Sequence, residues 1–261
     1  MSGEAKQLGV TDHSRDSAGL TYVYPVVSRR AGGVSVGINL NPNNACNWRC
    51  IYCQVPGLKR GSAPPIDLGQ LERELRGFID TLLHGDFMRK HVPEAARRIV
   101  DIAFSGNGEP TSAREFPDAI ELAGRVVRDT GLEGKVKIRV ITNGSLLGRK
   151  RVQQGLRRLG ELGGEAWFKV DAGSAEGYRR INGVEISPES VARNLHRCAQ
   201  LCPTWVQTCL FALDGTSPGD EEVQAYLDVL ERAGSANLSG VHLYGLARPS
   251  LQPEAERLSR L

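Results

Sequence analysis

Short apolar runs alternate along this chain with longer stretches of helical period. The runs Val34–Leu40, Ile99–Ser105, Val136–Thr142, Ala166–Asp171, Trp205–Leu213 and Val241–Tyr244 are rich in β-branched and aromatic residues and read as strands. Between them, residues 67–83, 115–130, 149–162, 187–201 and 220–233 repeat their apolar positions at helical spacing. Strand followed by helix, repeated this often, predicts a parallel sheet with crossover helices. Six such units predict a curved, incomplete barrel, an α/β fold of the partial (β/α)6 TIM-like kind. The segment from Thr21 to Arg30 reads as an extended piece laid on the barrel edge, and residues 1–20 as a loosely docked or disordered arm before a single domain over 21–261. There is no internal repeat and no long linker.

The alternation inside the strands says more than their positions. Successive strand residues point to opposite faces. One face reads Val34, Val36, Ile38, Leu40; Val100, Ile102, Phe104; Val136, Ile138, Val140; Phe168, Val170; Val206, Thr208, Leu210; Val241, Leu243. That is an apolar surface suited to packing under helices. The other face reads Ser35, Asn39; Asp101, Ser105; Lys137, Arg139, Asn143; Lys169, Asp171; Gln207, Cys209; His242, Tyr244. A purely structural barrel fills its interior with branched apolar side chains. Burying charge and amide without partners is costly, so this pattern predicts a wet, functional cavity.

Composition narrows the picture only a little. A chain of 261 residues fits one α/β barrel domain, and a hydrophobic fraction of 40% is adequate for its core. The net charge of +3 does not demand a nucleic-acid partner. The basic runs Arg149-Lys150-Arg151, Arg157-Arg158 and Arg179-Arg180 can touch an RNA backbone, but acidic residues lie among them and a solvated helix face is the preferred reading. The first twenty residues lack an apolar signal region, and no stretch approaches the length of a membrane span. Six cysteines in a chain this long do not form a secreted disulfide framework.

Three of those cysteines carry the chemistry. Cys46, Cys50 and Cys53 stand in the run Ala-Cys-Asn-Trp-Arg-Cys-Ile-Tyr-Cys-Gln, a C-x3-C-x2-C spacing six residues beyond Leu40. Ligands of parallel sheets collect at the carboxyl ends of the strands, where this loop lies. Three thiolates so close can cap three irons of a [4Fe–4S] cube and leave the fourth iron free, unlike four-cysteine electron carriers. A structural zinc site normally takes four ligands, and neither a His nor a fourth Cys lies in the loop. Later strand ends add Phe104-Ser-Gly-Asn-Gly-Glu-Pro-Thr111, Ile141-Thr-Asn-Gly-Ser145 and Trp167-Phe-Lys-Val-Asp171. Glycines in the first of these allow a close backbone approach to a ligand. Asn143 and Ser145 can hydrogen-bond a ribose or carboxylate. Lys169 and Asp171 face one side and can ion-pair, which keeps the lysine protonated and argues against a Schiff-base role.

With these motifs in place, the chain resembles the radical S-adenosylmethionine (SAM) superfamily, from about Gly33 to Pro249. C-x3-C-x-aromatic-C is that family's signature. The resemblance implies a (β/α)6 partial barrel, a [4Fe–4S] cluster on the three cysteines, and SAM chelated at the open iron. It implies that Tyr52 packs near the adenine. Gly106-Asn107-Gly108-Glu109 stands for the family's "GGE" segment, which holds the SAM amino group, with Asn107 where many members have glycine. Asn143, Ser145, Asp171 and His242 are the remaining expected SAM contacts. Lys169, Asp171, Gln207, Tyr244 and Arg248 are the expected catalytic and substrate-side residues, Arg248 as an anion clamp. The implied reaction draws an electron from a flavodoxin or ferredoxin, cleaves SAM to a 5′-deoxyadenosyl radical, and abstracts hydrogen from a substrate. An oxygen-sensitive cluster without a targeting segment points to the cytoplasm.

Within the superfamily, Gly-Asn-Gly-Glu-Pro-Thr, Ile-Thr-Asn-Gly-Ser and Leu-Tyr-Gly-Leu-Ala-Arg-Pro look most like the group of tRNA wyosine-base synthases, which implies a tRNA base as substrate. Those synthases resemble chains with extra cysteines upstream, and none precedes Cys46 here. A glycyl-radical activase or an enzyme modifying a small molecule or peptide is the alternative within the class. An iron–sulfur electron carrier or redox sensor is the alternative outside it. Cys198, Cys202 and Cys209 read as buried small hydrophobes, with a second cluster as the minority reading.

Overall fold

The computed structural model describes residues 19–28, 32–246 and 249–261. The arm expected over 1–20 therefore falls almost wholly outside the described residues, as does Arg248. Seven strands form the main sheet: β1 (Val23–Ser28), β2 (Gly33–Ile38), β3 (Ile99–Phe104), β4 (Lys137–Thr142), β5 (Glu165–Lys169), β6 (Thr204–Leu210) and β7 (Gly240–Gly245), in that spatial order. All neighbours from β2 to β7 pair in parallel. The sheet is the expected partial (β/α)6 barrel with one addition. The extended segment near residue 21 is a true strand, and β1 pairs antiparallel with β2 from Val23↔Ile38 to Ser28↔Gly33.

The five expected helices are present as α1 (Leu68–His84), α2 (Phe116–Asp129), α3 (Lys150–Glu161), α5 (Pro188–Ala199) and α6 (Asp220–Arg232). Their ends follow capping chemistry. Asp67 accepts the Gln70 N–H at the start of α1, and Ser187 with Pro188 opens α5. A sixth helix, α4 (Ala175–Asn182), escapes the periodicity because it is eight residues long and contains Gly177. Ser174 caps its start, and Gly183 in the left-handed conformation ends it. This short helix delivers Asn182 to the site.

The apolar strand face packs under the helices as the alternation requires: Val34, Val36, Ile38, Ile102, Phe104, Val140 and Val206 are fully buried. Three residues depart from the alternation. β7 is the open edge of the sheet, and Val241 and Leu243 on its outer face remain 41% and 60% exposed. Lys137, assigned to the interior face, is exposed at the amino end of β4 and donates to the Gly163 carbonyl at 3.0 Å. Cys198 and Cys202 lie in the main hydrophobic core before β6 begins, whereas Cys209 stands near its carboxyl end. The length of a strand separates them, so the three do not gather into a second cluster site. Four residues of the basic runs pair with acidic neighbours on the surface: Arg151 bridges Asp118, Arg158 bridges Glu121 and Glu161, Arg179 bridges Glu176 and Glu185, and Arg180 bridges Glu222. No helix among the described residues is long and apolar enough to cross a membrane.

Candidate active site

The loop from Asn39 to Ser62 holds Cys46, Cys50 and Cys53 in almost no regular structure. Backbone groups that make no ladder must find other partners, and here each cysteine is anchored by a different part of the chain. The Cys46 end rests on asparagines. Asn41 donates to the Ala45 carbonyl at 2.9 Å and to Ser112 Oγ at 3.2 Å, and Asn39 Oδ1 accepts the N–H groups of Asn41 and Asn107. The middle rests on α4: Arg49 N–H donates to the Asn182 carbonyl, Ile51 N–H to the Ile181 carbonyl, and Asn182 Nδ2 reaches Cys50 Sγ at 3.2 Å. Trp48 is buried edge-on against Tyr178 beneath it.

The turn after β3 comes so close to this loop that only glycine fits. A Cβ on Gly106, whose φ is +132°, would strike Asn39, and one on Gly108 would strike the Ala45 carbonyl. The glycines thus serve loop-on-loop packing, in addition to any ligand. Glu109 follows them and is almost wholly buried. Its Oε1 accepts from Thr111 N–H, Thr111 Oγ1 at 2.6 Å and Thr142 Oγ1 at 2.7 Å, and its Oε2 accepts the Asn143 N–H at 2.7 Å. Burial raises its pKa, and those four donors work against the rise. Asn143 in turn donates to Asn47 Oδ1 at 2.9 Å.

Opposite stands a buried polar cluster. Tyr52 donates to Asp171 Oδ2 at 2.5 Å, Lys169 Nζ donates to Tyr52 Oη at 2.5 Å, and Lys169 lies 3.5 Å from Asp171. Burial opposes the ammonium, yet Asp171 and the surrounding groups outweigh it and hold the Lys169 pKa well above the ordinary lysine value. Burial also lifts the phenol of Tyr244 to about 12 and the thiols of Cys46 and Cys50 to about 11 and about 12.

These groups surround one cavity of about 1640 Å³ that runs from the cysteine loop into the barrel. Cys46, Cys50, Cys53, Tyr52, Gly106, Asn107, Gly108, Glu109, Asn143, Lys169, Gln207 and Tyr244 all line it. Three expected residues do not. Asp171 lies behind Tyr52 and Lys169, its oxygens taken by Tyr52, Asn182 and the Cys209 N–H. Ser145 is turned toward Asn143 and Asn47 and orients them. His242 is stacked on Trp205 at 4.5 Å and leans on Trp167 at 4.8 Å, off the cavity wall. All three support the lining instead of forming it. Residues that the motif reading missed include Asn39, Asn41, Asn47, Thr142 and Asn182. Five asparagines between residues 39 and 47 were the available signal for the first three. Nothing near Asn182 in the sequence points to the site, because the fold brings it across 132 positions to Cys50.

The donor set suits an iron–sulfur cluster and a polar cofactor. All three loop thiols are free of disulfides and half-buried. The Asn182 amide and the Trp48 N–H, 3.5 Å from Cys46 Sγ, supply hydrogen bonds to sulfur. Among the described residues no three His, Cys, Asp or Glu side chains are grouped as a single bound ion would need. The buried Asn107 Oδ1 and Gln207 Oε1 have no protein donor, although both side chains line the cavity. Buried acceptors of this kind call for a partner.

Comparison with known proteins agrees with this geometry. The family model of the radical SAM superfamily matches residues 40–230. A UPF0026 protein of Helicobacter pylori is 30% identical over 159 residues, which is 60% of this chain and 44% of that protein. A UPF0026 protein of Methanocaldococcus jannaschii is 28% identical over 164 residues, which is 60% of this chain and 42% of that protein. The aligned region therefore spans less than half the length of these relatives. A solved structure of histidine-tagged "anSMEcpe with bound AdoMet" superposes with a TM-score of 0.51 at 17% identity, over 82% of this chain and 52% of that one. At that identity the likeness speaks for the fold.

Proposed function

We propose that this chain, which belongs to the radical SAM superfamily, holds its [4Fe–4S] cluster on Cys46, Cys50 and Cys53 and its SAM against Tyr52, Glu109 and Asn143. The superfamily consists of enzymes that work with that cluster and that cosubstrate. When bound, the two supply reductive cleavage of a sulfonium and hydrogen-atom abstraction. The chain's own residues bind, orient and exclude water.

The observation that carries this reading is the convergence of three separately anchored thiols and one buried carboxylate on a single cavity wall. Glu109 Oε1 is saturated by three donors, while Oε2 takes one and keeps room for an ammonium. Its four donors hold the carboxylate rigid, so an amino group finds an acceptor already in place. Burial holds the Cys50 thiol up at about 12, and the Lys169 charge and the Asn182 amide work against that rise. Lys169 is locked between Tyr52 and Asp171 as a fixed positive charge. A protonated, engaged amine is a poor nucleophile, so it serves as an electrostatic contact. Gln207, Cys209 and Tyr244 face the cavity from β6 and β7, where a substrate would lie. The volume of about 1640 Å³ exceeds the range of about 300–1,000 Å³ that suits one small ligand. It leaves space beside SAM for part of a second molecule.

The test is anaerobic reconstitution followed by SAM and dithionite. Production of 5′-deoxyadenosine supports the enzyme, and its absence from a protein with a full iron complement leaves an electron carrier or redox sensor. The lined, polar cavity favours the enzyme, since a carrier needs none. For the substrate, the resemblance of Gly106–Thr111 and Ile141–Ser145 to the wyosine-base synthases favours a tRNA base. Comparison of the modified nucleosides of bulk tRNA from a deletion strain and its parent decides this. Identical nucleoside profiles would turn the search to a glycyl-radical partner, a peptide or a small molecule. The reading carries with it a flavodoxin or ferredoxin as reductant and a cytoplasmic location.

A further inference from the structure

The segment 249–261 contributes Leu251, Arg260 and Leu261 to the cavity lining and is held at both ends. At its far end Leu258 and Ser259 pair antiparallel with Leu213 and Ala212, and Arg257 bridges Asp214 at 2.6 Å. At its near end it meets the cysteine loop. Leu251 N–H donates to the Cys53 carbonyl at 3.0 Å. Ser250 Oγ lies 2.6 Å from the Ile51 carbonyl and 3.2 Å from that of Cys53, and it accepts the Gln252 N–H at 3.0 Å. Gln252 Nε2 reaches the carbonyls of Cys53 and Val55 at 3.5 Å each. Ser250 and Gln252 are only 6% and 7% exposed, unusual for such polar residues on a segment with so little regular structure.

Cys46 has the asparagine scaffold and Cys50 has α4. Cys53 bonds back to the Cys50 carbonyl through its own N–H, but its carbonyl is gripped from 197 or more positions away. We propose that Ser250 and Gln252 are positioning residues for Cys53. Through that carbonyl they set where the third sulfur stands in the cavity wall. The same segment places Leu251, Arg260 and Leu261 on the cavity lining, so the anchor of the third cysteine also forms part of the rim around the cofactor. The inference rests on Cys53 being a cluster ligand.

The experiment uses the reconstituted full-length protein and reads iron content, the EPR spectrum of the reduced cluster with and without SAM, and KM and kcat for 5′-deoxyadenosine formation. The wild type comes first: if it holds no cluster, the assignment of the cysteines fails, and that outcome is separate from the fate of Ser250 and Gln252. With the wild type loaded, S250A/Q252A is expected to raise KM for SAM about tenfold and to alter the SAM-bound EPR signal, while S250T, which keeps the hydroxyl, stays within about twofold of wild type. A double variant identical to wild type in KM and EPR signal would overturn the proposal, as would an S250T variant as impaired as the double variant. If the double variant loses its cluster, hydrogen exchange on cluster-free S250A decides. Faster exchange confined to amides 51–55 supports the role, and unchanged exchange there rejects it.

Discussion

The floor and the mouth of this barrel are built on the same strands from the same kinds of polar residue, yet they differ in what remains to be bonded. At the floor, Arg139 pairs with Asp101 and, at 2.7 Å, with Glu165. Ser35 donates to Asp101, Trp167 Nε1 donates to Glu165 at 3.0 Å, and the Trp167 ring lies under the guanidinium at 5.0 Å. His242 and Trp205 continue the stack. These charges answer one another. At the mouth, three thiols and Glu109, one oxygen of which takes a single donor, line a cavity together with Asn107 and Gln207, whose buried amide oxygens lack a protein donor. A closed network is a structural plug, and an open one is a ligand site. Polarity on the inner face of a barrel therefore does not by itself mark function. Residual valence does.

The largest effect should come from the mouth. Replacing Cys46, Cys50 and Cys53 with Ala together is expected to give colourless protein with no 5′-deoxyadenosine formation and an unchanged circular dichroism spectrum. Iron retained at the wild-type level would mean that Cys198, Cys202 or Cys209 binds it.

At the floor the expectation reverses. Arg139→Met strands two buried carboxylates and should cost about 3–5 kcal/mol in urea unfolding, as breaking a buried ion pair does. The fraction that stays folded should still bind iron and cleave SAM. If it keeps wild-type stability but loses SAM cleavage, the division between plug and site is wrong.

Lys169→Met tests a residue between the two regimes. Asp171 keeps Tyr52, Asn182 and the Cys209 N–H as partners, so the cost should be smaller, about 2 kcal/mol. Its pH dependence follows from the raised pKa of the lysine. A base whose folded pKa is raised contributes stability that is fully present below its unfolded value of about 10.4 and is lost only as pH climbs through the folded one. The difference between Lys169→Met and wild type should thus be flat from about pH 6 to pH 9. A difference that shrinks over that interval would mean the amine titrates there.

The smallest effect belongs to Gln207→Leu. The change removes a buried acceptor that lacks a donor and also the Gln207 hydrogen bond to Tyr244, so the two should offset to within about 1 kcal/mol. Substrate turnover should fall while substrate-free SAM cleavage persists. A loss of more than about 2 kcal/mol, beyond what one hydrogen bond to Tyr244 accounts for, would show that the carbonyl already has a partner.

Much of the fold was legible in the sequence because its signals are local. The β-branched runs, the helical periods between them and the alternation that put Asp101, Arg139, Lys169 and Gln207 on one face required no knowledge of distant contacts. The cysteine spacing and the turns at Gly106–Glu109 and Thr142–Gly144 were equally readable. What escaped is non-local or too short to show a period. The helix Ala175–Asn182 spans about two turns, and its Asn182 reaches Cys50 only through the fold. That Asp171, Ser145 and His242 stand off the cavity lining escapes the sequence for a related reason. Alternation tells which face a side chain takes, but not whether a neighbour stands between it and the cavity. Tyr52 stands before Asp171.

By itself the sequence determined the parallel α/β architecture, the apolar and polar faces of its strands and the trio of thiols on one loop, because backbone pleat and residue spacing act over a few neighbours. Tertiary structure alone decided which polar groups neutralise each other and which stay available, and which distant residues hold each cysteine. A hydrogen bond or ion pair is satisfied by whatever the fold brings within about 3 Å, and that proximity is written nowhere in the order of the residues.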